Sequence, residues 1–208
     1  MNYLEALSRR YSVKKFNHEI IPQETLHNIL ESGKLSASSL GLQPYEILIV
    51  ESEEMKQKLI PAFYNPSQIS TCSHLIVIVS KKIVDDNYIN GYFRHISKVR
   101  ETPLEKLDLF KNSINQHINQ KTQDEIFSWA EKQSYIVLAN LMYAAAIENI
   151  DTCPMEGFRQ ELIEEILEIN TETEKVSVTL ALGYRSEEDH FQHMKKVRNP
   201  MEEFIIKK

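Results

Sequence analysis

Apolar residues recur along this chain in two rhythms, and each rhythm predicts an element. Residues 3 to 10 place Tyr3, Leu4 and Leu7 at helical spacing before running into a basic segment. Pro22 opens a second predicted helix, with Leu26, Ile29 and Leu30 on one face and Gly33 placed to end it. From Glu46 to Glu51 the pattern becomes that of a strand, and Ser52 then caps a short helix predicted to stop near Pro61. Leu75 to Ser80 is a continuous apolar, β-branched run. Such a run predicts a strand covered on both faces.

The middle of the chain is different. Residues 85 to 121 are polar and rich in Asn, Gln and Lys, which predicts exposed helices and a mobile loop. Thr122 and Glu125 then form a capping-box pattern that opens a long helix through Ile126, Trp129, Ile136, Val137, Leu141, Ala144, Ala145 and Ile147. From Tyr135 onward that helix is apolar nearly all round, so it is expected to be central and buried. A strand at Ile150 to Cys153, a helix from Phe158 to Ile169 and a third strand at Val176 to Leu182 follow. After Gly183 comes a long charged arm ending in Phe204-Ile205-Ile206. That strand-like tip either pairs with the sheet of a second subunit or is a frayed terminus. There are no repeats and no linker, so one α+β domain over residues 1 to 208 is expected.

Composition narrows the chemistry. Five glycines in 208 residues, at 33, 41, 91, 157 and 183, leave no G-x-G-x-x-G and no phosphate-binding G-x-x-x-x-G-K-[ST] loop. If the protein holds a nucleotide, side chains must do much of the gripping. A formal net charge of -6 argues against a nucleic-acid partner. The apolar runs are far short of a membrane span, and Met1 to Glu5 carries no secretory n-region, so a cytoplasmic location is expected. Cys72 and Cys153 form no C-x-x-C, and buried free thiols are the expectation rather than a disulfide.

Against the acidic background, Arg9-Arg10-Tyr11-Ser12-Val13-Lys14-Lys15 and Lys195-Lys196-Val197-Arg198 stand out. Forked Arg, point-charge Lys and a hydroxyl suit a phosphate, although a solvated basic surface has the same composition. Ser36 to Tyr45 packs hydroxyls, Gly41 and Gln43 between a helix and a strand. Pro154-Met155-Glu156-Gly157-Phe158 sits between a strand and a helix, where backbone N–H groups point outward. Either segment could equally be an ordinary connecting turn. His190-x-x-His193 lacks the register and the third ligand of a metal site, so no metal is expected. Cys153 has no histidine near it in sequence, and no G-x-S-x-G exists.

Taken in order, these pieces resemble the nitroreductase family of FMN-dependent NAD(P)H oxidoreductases. The resemblance rests on Arg10-x-Ser12-x-Lys14-x-Phe16, Ser36-x-Ser38-Ser39-x-Gly41-x-Gln43-Pro44-Tyr45 and Asn65-x-x-Gln68. It continues through Trp129-x-x-x-Gln133-x-Tyr135, Pro154-x-Glu156-Gly157-Phe158, Gly183-Tyr184-Arg185 and Lys196-x-Arg198. It implies a three-layer α+β sandwich, with a mostly antiparallel sheet flanked by helices and a homodimer exchanging the C-terminal arms, about 184 to 208. Two FMN sites would lie at the interface. By the same resemblance Arg10, Lys14 and Arg198 hold the FMN phosphate, with Tyr11, Ser12 and Lys196 in the same motifs. Asn65 and Gln68 meet the flavin's polar edge and ribityl chain, and Pro154, Met155, Glu156 and Gly157 line one face of the ring. Ser38, Ser39 and Gly41 come from the other subunit.

Residues 85 to 121 would wall the substrate channel, with Phe110, Ile114 and His117 as candidates. No side chain need be catalytic, because the flavin carries the chemistry. Hydride would pass from NADH or NADPH to N5 and then to a nitroaromatic, quinone or similar flat acceptor by a ping-pong mechanism. The family also admits flavin or dihydropteridine reductases and reductive dehalogenases. A non-enzymatic nucleotide-binding module is a further alternative.

Overall fold

The computed structural model describes residues 2–208. Four strands form one antiparallel sheet: β1 (Tyr45–Val50), β2 (His74–Lys81), β3 (Asp151–Met155) and β4 (Glu174–Gly183), in the order β1-β2-β4-β3. β2 and β4 are central and almost entirely buried. Ile47 pairs with Ile78, His74 with Leu182 and Cys153 with Ala181, with one register shift at Ile78/Val79.

Alternation along β2 splits the core in two. Leu75, Val77 and Val79 face α3 (Glu53–Leu59), α4 (Pro66–Thr71) and α8 (Gln160–Ile166), packing with Leu59, Ile69 and Ile163. Ile76 and Ile78 face α2 (Gln23–Lys34) and α7 (Gln123–Ile147), against Leu26, Ile29, Val137 and Leu141. The continuous apolar run therefore reports a strand with both faces covered, and the result is three layers. Sequence-predicted caps hold: Ser52 accepts from Met55 N at 3.2 Å, and Thr122 and Glu125 form a reciprocal capping box. Both cysteines are free and buried.

Several expectations need correction. Gly33 lies inside α2 rather than ending it. A Cβ there would stand 2.7 Å from Leu141 Cδ2, so the glycine permits close approach of α2 to α7. Residues 85 to 121 contain no long loop. They fold into α5 (Asp86–Arg100) and α6 (Asp108–Asn119), joined through a short turn at Leu104–Leu107 and closed on a third core of Ile89, Phe93, Ile96, Ile114 and Ile118. The apolar residues were sparse but spaced three or four apart, which suffices for one buried stripe on each helix.

α7 is not buried all round, because Tyr135, Ile136, Tyr143 and Ile147 are each more than a third exposed. α8 starts at Gln160, since Phe158 instead bridges to Phe63. The tip of the arm is not a strand: α9 (Met201–Phe204) is a short helix, and Phe204, Ile205 and Ile206 are exposed. Among the described residues, no helix is long and apolar enough to cross a membrane.

Two segments complete the site's framework. After α1 (Tyr3–Arg9), the chain runs beside β3, where Val13 N donates to Thr152 O at 3.2 Å and Ser12 bridges to Thr152. The arm leaves β4 beyond Gly183, where a Cβ would meet the Phe16 ring at 2.8 Å.

Candidate functional site

The two cationic clusters, almost the full chain apart in sequence, meet in one cavity of about 350 Å³. Arg10, Tyr11, Ser12 and Lys14 line it from the N-terminal segment, and Lys196 and Arg198 from the arm. No carboxylate is ion-paired with any of these four cations among the described residues. Burial and then the Arg198 charge hold the Arg10 pKa below its ordinary value. Burial, Arg10 and Arg198 do the same to Lys196. Lys196 Nζ donates to the carbonyls of Leu7 and Arg10, which ties the arm to the end of α1. Like charges gathered in this way repel, and an anion placed among them removes the repulsion.

Asp189 is the acid that makes the gathering possible, and none of the sequence motifs includes it. Its side chain is buried. Oδ2 accepts from Lys14 N at 2.7 Å, Tyr11 Oη at 3.2 Å and Lys15 N at 3.4 Å, and Oδ1 from Phe191 N at 3.1 Å. Burial opposes ionisation, yet these hydrogen bonds outweigh it and hold the carboxyl below its ordinary pKa. The carboxylate thus clamps backbone N–H groups and leaves the cationic side chains free. Tyr11 belongs to the same clamp, with the Arg185 guanidinium stacked 4.7 Å from its ring centre. Arg185 in turn pairs with buried Asp151, its Nε donating to Oδ2 at 2.9 Å.

Lys14 lines the cavity and also reaches β3, with Nζ 3.7 Å from Cys153 Sγ. Gln68 reaches the same sulfur from α4, with Nε2 at 3.2 Å. Its Oε1 is buried and accepts from no group, and Arg10 Nε is likewise buried without an acceptor. Asn65 is the N-cap of α4 and accepts from Ser67 N at 3.2 Å. Arg10, which lines the cavity, and Gln68, which lies off it behind Cys153, therefore each hold a buried polar atom without a partner, while Asn65 is also off the cavity.

Beyond Cys153, β3 ends in Pro154 and Met155, and Glu156 and Gly157 follow it. Gly157 O accepts from Tyr64 N at 3.0 Å, while Gly157 N–H donates to no group among the described residues. Tyr135 on α7 donates its hydroxyl to the Glu156 carboxylate, and burial together with that bond pushes the phenol's pKa up. The sequence carries Tyr135 within a motif but assigns it no contact. Its position two residues after Gln133 on α7 is the signal that it faces a different neighbour.

The Ser38 to Gly41 turn stands apart. None of its residues lines the basic cavity. Ser39 N donates to Gln133 Oε1 at 2.8 Å, Ser38 Oγ accepts from Gln43 N at 3.0 Å, and Gly41 adopts φ +72° with the Tyr92 hydroxyl where a Cβ would lie. The channel candidates on α6 also divide. Phe110 is exposed and edge-on to Phe93, and His117 is exposed. Ile114 is 1% exposed, packed in the third core, and has no surface with which to wall a channel.

Comparison with known proteins identifies the family. The profile of the Nitroreductase family matches residues 7–184. A Staphylococcus haemolyticus protein called "Putative NAD(P)H nitroreductase" is 39% identical, over 97% of this chain and 95% of its own. Among solved structures, a "putative nitroreductase" of Bacillus subtilis superposes with a TM-score of 0.88 at 20% identity, covering 99% of this chain and 98% of that one. A second, from Exiguobacterium sibiricum and solved in complex with FMN, gives 0.87 at 23% identity over 100% and 98%. The family profile stops one residue past β4, whereas the Staphylococcus relative extends over the arm that carries Lys196 and Arg198. On this match, the chain belongs to the nitroreductase family.

Proposed function

We propose that this chain is an FMN-dependent NAD(P)H oxidoreductase that reduces flat acceptors such as nitroaromatics or quinones. The observation that carries the reading is the convergence of Arg10, Lys14, Lys196 and Arg198 from both chain ends with no carboxylate paired to them. A flavin mononucleotide fits the donor set. Its phosphate answers the cations, and its polar groups answer the buried Gln68 Oε1 and the free Gly157 N–H. The FMN found in the Exiguobacterium structure and the name of the Staphylococcus relative support the same cofactor and donor.

In this reading Arg10, Lys14 and Arg198 hold the phosphate, with Ser12 and Lys196 closing the cradle and Tyr11 bracing it through Asp189. Asn65 and Gln68 meet the polar edge and ribityl chain. Pro154, Met155, Glu156 and Gly157 present one wall of the ring site. Bound FMN would supply the redox chemistry, taking hydride from NADH or NADPH and passing it to the acceptor. The protein's contribution is to bind and orient. Both reactants use one site in turn, which predicts ping-pong kinetics.

Ser38, Ser39 and Gly41 lie off the cavity in their own chain, so a second copy supplies them and the working unit is a homodimer. Exposed Tyr135, Ile136, Tyr143 and the arm's Phe204 and Ile206 support such a partner. Phe110 and His117 are proposed to wall the acceptor channel. Residues 1 to 208 act as one domain, in the cytoplasm.

Purified protein tests this directly. It should be yellow, or turn so with added FMN, and should bleach on anaerobic addition of NADH or NADPH. A nitroaromatic or quinone should then restore the colour. Colourless protein that takes up no FMN overturns the reading in favour of a flavin-free nucleotide-binding module. Reduction by nicotinamide without reoxidation by any of these acceptors favours a reductase of another class, such as a flavin or dihydropteridine reductase.

A further inference from the structure

Three elements meet at the sulfur of Cys153, and the roles assigned so far leave that residue without one. β3 buries it completely. Lys14 Nζ approaches Sγ to 3.7 Å from the N-terminal segment, and Gln68 Nε2 to 3.2 Å from α4. The thiol's own proton faces the Pro154 carbonyl at 3.7 Å. A thiol sulfur is large, polarizable and carried on a long bond, so it accepts at distances where a serine hydroxyl falls short.

The Gln68 amide shows what this contact decides. Its side chain is 4% exposed, its NH2 is engaged by Sγ, and its Oε1 is left buried with no donor. Buried polar atoms without partners are rare in folded proteins, and this one is linked through the Cys153 sulfur to Lys14, which lines the basic cavity. Were the sulfur absent, nothing here would hold the amide with its carbonyl free.

We propose that Cys153 is a positioning residue of the FMN cradle. Its sulfur fixes the Gln68 amide so that the carbonyl accepts from an N–H or O–H group of the flavin nucleotide, and it steadies the Lys14 ammonium for the phosphate. This rests on the FMN reading above. The thiol takes no nucleophilic or redox part: burial raises its pKa, and Lys14 and Gln68 only partly offset that, so it stays protonated.

The test titrates FMN and riboflavin into flavin-free protein, following flavin fluorescence. The parent is compared with Cys153→Ser, Cys153→Ala, Gln68→Ala and the Cys153→Ala/Gln68→Ala double variant. Riboflavin lacks the phosphate, so loss through Lys14 weakens FMN alone, whereas loss through Gln68 weakens both ligands. FMN dissociation constants should rise about tenfold in both cysteine variants, and those of riboflavin about threefold. The double variant should bind riboflavin about as well as Gln68→Ala alone, because the two act in series. Cys153→Ser nearly conserves volume and guards against loss of fold, which thermal unfolding of the flavin-free protein monitors. FMN affinity within about twofold of the parent in both folded cysteine variants overturns the inference, as does full additivity in the double variant. A parent that binds neither flavin overturns the FMN reading and the inference with it. Tight parent binding with indifferent variants overturns the inference alone.

Discussion

Two groups of residues carry the resemblance to flavin sites, and they are built on opposite principles. Around Arg10, Lys14, Gln68 and Gly157, charges stand unpaired and buried atoms lack partners. In the Ser38 to Gly41 turn, backbone and hydroxyl groups are answered within the chain, by Gln133 and Gln43. In the proposed function the first group is completed by an anion, which relieves the repulsion among its cations. The second is a finished turn that can be presented, already rigid, to something outside its own chain. Joined as the proposed homodimer joins them, one half would sense the ligand and the other would only shape the space.

Removing the arm should separate the halves most sharply. Truncation after Gly183 deletes Lys196, Arg198 and the Asp189 clamp together, and FMN affinity should fall more than about a hundredfold. An FMN-loaded truncate would show that the N-terminal segment suffices. Next in size is Arg10→Ala, expected to cost about 1.5–3 kcal/mol of FMN binding. The loss should shrink as salt rises from low to about 0.5 M, because the contact is ionic. A salt-independent loss would instead mean that the side chain acts by packing.

Two glycines test the difference between shape and ligand contact. Gly41→Ala meets the Tyr92 hydroxyl at φ +72°, so folding stability should drop by about 1–2 kcal/mol in urea titrations. A Cβ on Gly157 lies 3.4 Å from Tyr64, an ordinary contact, so Gly157→Ala should leave stability within about 0.5 kcal/mol while weakening FMN. Equal behaviour of the two would erase the distinction.

The smallest effect is a pH slope. His74 is buried on β2, with Ser73 Oγ 2.7 Å from Nδ1, Glu51 3.9 Å from Nε2 and Lys56 close by. Burial lowers its pKa below the ordinary 6.5. Below pH 6.5 the unfolded chain binds a proton that the folded chain refuses, so stability falls as pH drops toward the folded-state value. His74→Gln should flatten that part of the thermal-midpoint profile. An unchanged slope would move the titration to another group.

Legibility followed the range of the interactions. Strands and caps were readable because the β2 run and the Thr122–Glu125 pair are written in consecutive residues. The basic motifs were readable as charge, and their meeting was implied by resemblance alone, since Arg10 and Arg198 are joined only by the folded sheet. Gly33 read as a stop because its reason lies in Leu141, far along the chain. Residues 85 to 121 read as exposed helices and a loop because polar composition masked apolar positions spaced three or four apart. Asp189 and Cys153 were passed over for one cause: the partners that tie each to the cavity lie more than eighty residues away.

The cavity's construction from residue 10 and residue 198 also makes it a readout of global order. Arg10 and Arg198 share a wall only once β4 has paired between β2 and β3 and Asp189 has docked on the backbone of Lys14 and Lys15. No local stretch of chain carries both halves, so whatever opens the β3–β4 pairing or releases Asp189 parts the two arginines together.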